Sequence, residues 1–201
     1  MNPAIALTFS RIIIAPFFAW AFIASFHSPS PALWLWISVV LAAGIELSDA
    51  FDGRLARARN QVTDFGKLFD PAADSVSRQT IFLSFMVCAA HIIPLWMFLL
   101  FLYRDAFLSV LRIWCAYNGI VLAARRAGKL KAVIQAIGAF LVLFVCLAQA
   151  YRYPWMPPSV WGRHPGFWIM LFPAAVTVLS VYDYVVSNWQ TVKSMTVPRK
   201  Q

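Results

Sequence analysis

Asp49-Ala-Phe-Asp52-Gly53-Arg-Leu-Ala56-Arg57, then eight residues, then Gly66-Lys-Leu-Phe-Asp70-Pro-Ala-Ala-Asp74 is the stretch whose reading decides this 201-residue chain. Six of the eight acidic residues lie between Glu46 and Asp74, in a sequence that is 61% hydrophobic. Carboxylates are costly in an apolar slab, so a cluster of them there points to a functional site. Asp49, Asp52, Gly53 and Ala56 fall at i, i+3, i+4 and i+7, one face of a helix that Asp49 would carry into its last turns. Gly66, Asp70 and Asp74 fall at i, i+4 and i+8, one face of a second helix. Facing each other, the two stripes bring four carboxylates around a gap floored by small residues. Unpaired, such anions repel and take up protons. All-oxygen ligands suit hard divalent cations such as Mg²⁺, Mn²⁺ or Ca²⁺, and four carboxylates can hold two of them, the arrangement that clamps a phosphoryl group for in-line displacement. The plainer alternative, ion pairs with Arg54, Arg57, Arg59 and Lys67, accounts for one such aspartate better than for four at helical spacing.

Outward from that stretch the chain reads as an all-α integral membrane protein. Its mean hydropathy is +0.70 and only 12% of residues are charged. Six spans of about 20 residues are predicted, each sufficient for a hydrocarbon core of roughly 30 Å. They run from Ile5 to Ser25, Ala32 to Leu47 (continuing as a helix through Arg57), Gly66 or Lys67 to Ala90, Leu95 to Asn118, Val133 to Ala150, and Gly166 to Val186. The first lacks a basic leader and carries Arg11, so it reads as a membrane helix rather than a cleaved signal. No internal repeat or second domain is expected, which makes residues 1–201 one transmembrane domain.

The net charge is +9. The positive charges cluster in a few connections, which points to anionic lipid and topology rather than nucleic acid. Arg54, Arg57, Arg59 and Lys67 lie between spans two and three. Arg125, Arg126, Lys129 and Lys131 lie between four and five, and Lys193, Arg199 and Lys200 in the tail. The other side holds only Arg152 and Arg163, with His27, His91 and His164. Both termini and the acidic stretch are therefore expected on the cytosolic side of an inner or plasma membrane. Trp34, Trp36, Trp96, Trp155, Trp161 and Trp168 fall near the outer ends as an aromatic belt. Cys88, Cys115 and Cys146 sit in apolar runs without metal-type spacing and read as small buried hydrophobes.

Further polar groups lie at membrane depth. Asn2, Thr8 and Arg11 open the first helix, and Arg78 continues the Asp70–Asp74 stripe. Arg104, Asp105 and Arg112 interrupt the fourth helix, while Lys129 and Lys131 open the fifth. Each alone could snorkel or form a local ion pair, such as Arg112 with Asp105. Together, a carboxylate centre beside a basic pocket suits a reaction between two phosphorylated partners.

Asp49-x2-Asp52-Gly53-x2-Ala56-Arg57-x8-Gly66-x3-Asp70-x3-Asp74 resembles, without departure, the signature of the CDP-alcohol phosphotransferases. With eight fixed positions, a chance match is on the order of 10⁻¹⁰ per start at average residue usage. The resemblance implies a six-helix membrane enzyme, usually a homodimer, that moves a phosphate-bearing group from a CDP-linked donor to an alcohol and releases CMP. It implies two Mg²⁺ or Mn²⁺ ions on Asp49, Asp52, Asp70 and Asp74, with Asp74 also the base for the acceptor hydroxyl. It assigns Gly53, Ala56, Arg57 and Gly66 to the nucleotide pocket. Asn2 and Thr8-x2-Arg11, Arg104-Asp105-x6-Arg112 and Gly128-Lys129-x-Lys131 are similar to the bacterial branch that makes phosphatidylglycerophosphate. Asp105, Ala132 and Ser75 stand where that branch commonly has Glu, Thr and Lys.

That branch implies CDP-diacylglycerol as donor, held by Asn2, Thr8, Asp49, Gly53, Ala56, Arg57 and Gly66. It implies glycerol 3-phosphate as acceptor, its phosphate drawing on Arg104, Arg112, Lys129 and Lys131. Two alternatives keep the chemistry and change the acceptor, to inositol phosphate or to phosphatidylglycerol. A divalent-cation transporter would instead need polar groups continuing to the outer face, and a membrane scaffold has no use for four acids at helical spacing.

Overall fold

The computed structural model describes residues 3–58, 64–88, 90–117 and 126–187, with the backbone alone at 3–7, 49–58, 64–68, 112, 116–117, 126–129 and 187. Six α-helices follow one another: α1 (Pro3–Ser25), α2 (Pro31–Ala58), α3 (Asp64–Val87), α4 (Leu95–Tyr117), α5 (Arg126–Ala150) and α6 (Pro165–Ser187). Among the described residues the only strand-like pairing is an isolated bridge between Val160 and Arg163. Pro31 and Pro165 open their helices where a missing N–H costs nothing.

Two boundaries differ from the sequence reading. α5 begins at Arg126, about two turns before Val133, because Ala, Leu and Lys propagate a helix well beyond the segment lipid can cover. Lys131 thus lies inside the helix rather than in a connection. α3 ends at Val87 rather than Ala90. The Ile92 N–H donates to the Phe85 carbonyl at 3.0 Å, and His91 closes the turn with φ +42°.

Among the described residues, four helices contain segments long and apolar enough to cross a membrane: Thr8–Ser25, Pro31–Ser48, Leu130–Ala150 and Pro165–Val186. α3 and α4 do not meet that test of length and composition, because α3 carries Asp64, Lys67, Asp70, Asp74 and Arg78, and α4 carries Arg104, Asp105 and Arg112. Large apolar side chains face outward along the spans, among them Ile13, Phe17 and Trp20 on α1 and Ile137, Leu141 and Phe144 on α5. Water would not tolerate that surface; lipid does.

α1 packs against α2 and α3, α2 against α5, α5 against α6, and α4 bridges α3 and α6. The half of the bundle away from the acidic stretch is filled with aromatic rings. Phe18, Phe22, Phe82, Phe85 and Phe101 are fully buried, with Phe22 and Phe85 at 5.1 Å and Phe82 and Phe101 at 4.6 Å between centroids. α5 and α6 approach closely at Gly138, where a Cβ would stand 2.9 Å from Pro173 Cγ. Cys88, Cys115 and Cys146 are free thiols in the core, as expected.

The α5–α6 connection is a built corner. Val160 and Arg163 exchange both backbone hydrogen bonds (2.8 and 3.0 Å) across Trp161 and Gly162, both at positive φ, a two-residue primed turn. His164 Nδ1 accepts from the Gly166 N–H at 3.0 Å, and Nε2 lies 2.9 Å from Gln149 Oε1. That arrangement needs a neutral ring, and burial pushes the His164 pKa down from 6.5 to about 4. Between those values the unfolded chain binds a proton that the folded chain refuses. Stability should therefore fall as pH drops from 6.5 to about 4 and level off below. Thermal unfolding in detergent across that range should show the loss in the native chain and a weaker dependence in His164→Gln.

Candidate active site

α3 presents Asp70, Asp74 and Arg78 at i, i+4 and i+8 on one face. Each carboxylate is held by a different partner. The buried Thr8 hydroxyl, from α1, donates to Asp70 Oδ1 at 2.8 Å. Arg78 grips Asp74 with both arms, Nη2 to Oδ1 at 2.9 Å and Nη1 to Oδ2 at 3.2 Å. Such a parallel fork fixes the plane of the carboxylate as well as its charge. The same Arg78 Nη2 lies 3.7 Å from Glu46 Oε1 on α2. Glu46 lies one helical turn before Asp49, so this ion pair ties α2 to α3 just ahead of that residue.

Beside Asp74 lies a basic pocket whose centre is a buried carboxylate. Asp105 Oδ1 accepts from Lys131 Nζ at 2.7 Å and from Arg104 Nη1 at 2.9 Å. Its Oδ2 accepts from Gln79 Nε2 at 3.1 Å, with the Ser75 hydroxyl at 3.5 Å. Arg104 Nε also donates to the Ser180 hydroxyl at 3.2 Å. One carboxylate thus ties α3, α4 and α5, and through Arg104 reaches α6. Lys131 reaches it because Lys131, Gln135, Ala139, Val142 and Cys146 form the buried stripe of α5. The Lys131 side chain is 2% exposed and that of Asp105 7%. Breaking such a pair by removing one partner typically costs about 3–5 kcal/mol, because the survivor is left charged in a low dielectric. A cavity of about 80 Å³ opens here, lined by Asp74, Ser75, Arg78, Arg104, Asp105 and Lys131 among others. It admits several waters, or a group the size of phosphate, at roughly 10–15 Å³ per water.

The cavity therefore brings together Asp74, Arg104 and Lys131 of the residues singled out from sequence, while Asp70, one turn before Asp74 on α3, pairs with Thr8. Asp49, Asp52, Gly53, Ala56 and Arg57 occupy the last turns of α2, Gly66 the first turn of α3, Arg112 the end of α4 and Lys129 the start of α5. Their side chains, and all of Asn2, lie outside the described residues. Asp105 pairs with Arg104 and Lys131; the local pairing weighed for it, with Arg112, lies outside the described residues. Sequence reasoning passed over Glu46, Gln79 and Ser180. Glu46 was legible as an extension of the Asp49 stripe, and Gln79 as the residue one turn past Ser75. Nothing local marked Ser180.

Among the described residues, no three acidic, histidine or cysteine side chains gather into a metal site. The donors still suit a hard divalent ion. Asp70 and Asp74 offer oxygen alone, one turn apart. Each carboxylate has roughly four lone-pair directions, more than the Thr8 bond or the Arg78 fork consumes.

The sequence profile of the CDP-alcohol phosphatidyltransferase family matches residues 1–179. The chain is 32% identical to the CDP-diacylglycerol–glycerol-3-phosphate 3-phosphatidyltransferase of Treponema pallidum over 151 residues, covering 74% of this chain and 68% of that one. It is 31% identical to the enzyme of that name from Bacillus subtilis over 154 residues (73% and 70%). It is 28% identical to the one from Escherichia coli over 185 residues (89% and 90%). A profile match across most of the chain, together with these relatives, makes this membrane protein a member of the CDP-alcohol phosphatidyltransferase family.

Proposed function

We propose that the chain transfers the phosphatidyl group of CDP-diacylglycerol to a hydroxyl of glycerol 3-phosphate, giving phosphatidylglycerophosphate and CMP. The observation that carries this reading is the cavity that sets Asp74 beside Arg104 and Lys131. A carboxylate base next to convergent cations suits an acceptor that bears both a hydroxyl and a phosphate. The names of the relatives support the same pair of substrates.

In this reading Asp74 accepts the proton of the acceptor hydroxyl as its oxygen attacks the phosphorus bonded to diacylglycerol. The bond from that phosphorus to CMP breaks, and CMP leaves. Arg104 and Lys131, with Arg112 and Lys129 at the ends of their helices, hold the acceptor's phosphate. Asn2, Thr8, Gly53, Ala56, Arg57 and Gly66 form the donor site, where glycines admit the nucleotide close to the backbone and Arg57 grips a phosphate. Asp49, Asp52, Asp70 and Asp74 would hold two Mg²⁺ or Mn²⁺ ions, which when bound neutralise and orient the diphosphate. Helical register supports that grouping. From the Glu46–Arg78 pair, one turn forward along α2 reaches Asp49 while one turn back along α3 reaches Asp74. A further turn on each reaches Asp52 and Asp70.

We read all six helices as spanning the inner or plasma membrane as one domain, with both termini and the site on the cytosolic side and the enzyme working as a homodimer. The charges of α3 and α4 that are described point inward to partners, while Val76, Leu83, Val87, Tyr103, Phe107 and Val110 face outward. A cation transporter fits less well, since the half of the bundle beyond the site is closed by buried phenylalanines.

Three outcomes are expected in detergent with CDP-diacylglycerol, glycerol 3-phosphate and Mg²⁺, following CMP release. Asp74→Asn should lower kcat by at least about 10²-fold while leaving donor binding intact, as loss of a general base does. Retained turnover would remove Asp74 from that role. Chelation with EDTA should abolish activity, and Mg²⁺ or Mn²⁺ should restore it; activity that survives thorough chelation would end the metal assignment. Lys131→Ala should raise KM for glycerol 3-phosphate about tenfold, the worth of one charge-assisted contact, with KM for the donor unchanged. An unaltered acceptor KM would exclude Lys131 from that pocket.

A further inference from the structure

The described cations of the cavity do not share one situation. Arg104 and Lys131 both spend a donor on a single oxygen of Asp105, a buried carboxylate in the cavity lining. Arg78 lines the same cavity from α3, with its side chain 7% exposed. It is shared between two carboxylates of the acidic side, Asp74 at 2.9 and 3.2 Å and Glu46 at 3.7 Å. Arg78 therefore stands at the wall between the two halves of the site, touching the residue that meets the acceptor's hydroxyl and facing the space that would take its phosphate.

A phosphomonoester brings a charge of about −1.5 to −2 at neutral pH. Around the cavity Arg78 faces Asp74 and Glu46, and Arg104 and Lys131 share Asp105, so Arg104 and Lys131 alone meet the incoming dianion with Asp105 still on them. A guanidinium is the group best shaped to supply the balance. It is planar, always charged, and its five donors can serve a carboxylate and a phosphate at once. Its Asp74 fork places it at a fixed height on α3, between hydroxyl and phosphate of one small acceptor.

We propose that Arg78 is a specificity-determining residue for the acceptor: a third phosphate-binding cation, poised by Asp74 and Glu46, that contacts the acceptor's phosphate while it orients Asp74. This rests on the acceptor being a phosphorylated alcohol, as argued above. It makes phosphate occupancy and the geometry of the base one event, since the same side chain serves both. A phosphate-free alcohol would leave Arg78 on the carboxylates and gain nothing from it.

The test is steady-state kinetics on the purified full chain, varying glycerol 3-phosphate and CDP-diacylglycerol separately, in Arg78→Gln and Arg78→Lys. Arg78→Gln should raise KM for glycerol 3-phosphate about tenfold or more and lower kcat, with KM for the donor unchanged, as expected for loss of a charge-assisted contact. Arg78→Lys should recover part of the acceptor KM through its charge. A fall in kcat with both KM values unchanged would overturn the proposal and leave Arg78 as a holder of Asp74 only. If Arg78→Gln does not fold, Arg78→Lys decides alone: a raised acceptor KM supports the contact, and a native value removes it. A second readout is independent of turnover. Millimolar inorganic phosphate should raise the thermal midpoint of the native chain, and raise it less in Arg78→Lys. Should the native chain shift in this way yet fail to use glycerol 3-phosphate, the phosphate site stands and the choice of acceptor falls. No shift in the native chain would overturn the site itself.

Discussion

A carboxylate sealed inside a helical bundle has to be neutralised by groups that can reach it, and Asp105 is neutralised from three directions. Lys131 and Arg104 meet on one of its oxygens and Gln79 on the other. None of these side chains can turn away to solvent, so the helices that carry them are pinned at this level. The apolar core on the far side packs by shape and tolerates exchange of one hydrophobe for another. The network around Asp105 does not, because removing any member leaves a charge or an amide without its counterpart in a low dielectric. Stability and site geometry therefore hang on the same contacts.

The bundle divides its labour along its length. Phenylalanine rings close one half, where dispersion and burial suffice. The other half keeps polar groups at depth, engaged by partners on the same or another helix: Thr8 with Asp70, Arg78 with Asp74 and Glu46, Lys131 and Arg104 with Asp105, Gln135 with Thr177. Acidic and basic halves of the site meet at Arg78. For a reaction that joins a nucleotide-linked lipid to a phosphorylated alcohol, this is a sensible partition. Carboxylates collect on one side of Arg78 and cations on the other, with Asp74 on the boundary.

The same pairing explains why α3 and α4 look poorly suited to a membrane when counted residue by residue. Hydropathy charges each ionised group the full cost of leaving water. In the folded bundle Asp74, Arg78, Arg104 and Asp105 bring their own counter-charges, while the outward faces of both helices remain apolar. A count of charges registers neither the pairs within a helix, Arg78 with Asp74 and Arg104 with Asp105, nor those across helices, Arg78 with Glu46 and Lys131 with Asp105.

Much of this was legible in the chain itself. Apolar length set the order of the helices, and the i, i+4, i+8 spacing of Gly66, Asp70 and Asp74 announced a carboxylate face on α3. Both are periodic properties of a local segment, and a helix expresses them wherever it packs. Tertiary structure alone decided the partners. That Thr8 reaches Asp70 across 62 residues, that Arg78 meets Glu46 as well as Asp74, that Lys131 turns inward to Asp105 instead of lying in a basic connection, and that Ser180 steadies Arg104 from α6, all depend on how the helices are rotated against one another. That rotation is fixed by the sum of many weak contacts spread over the bundle, and no short stretch of sequence contains it.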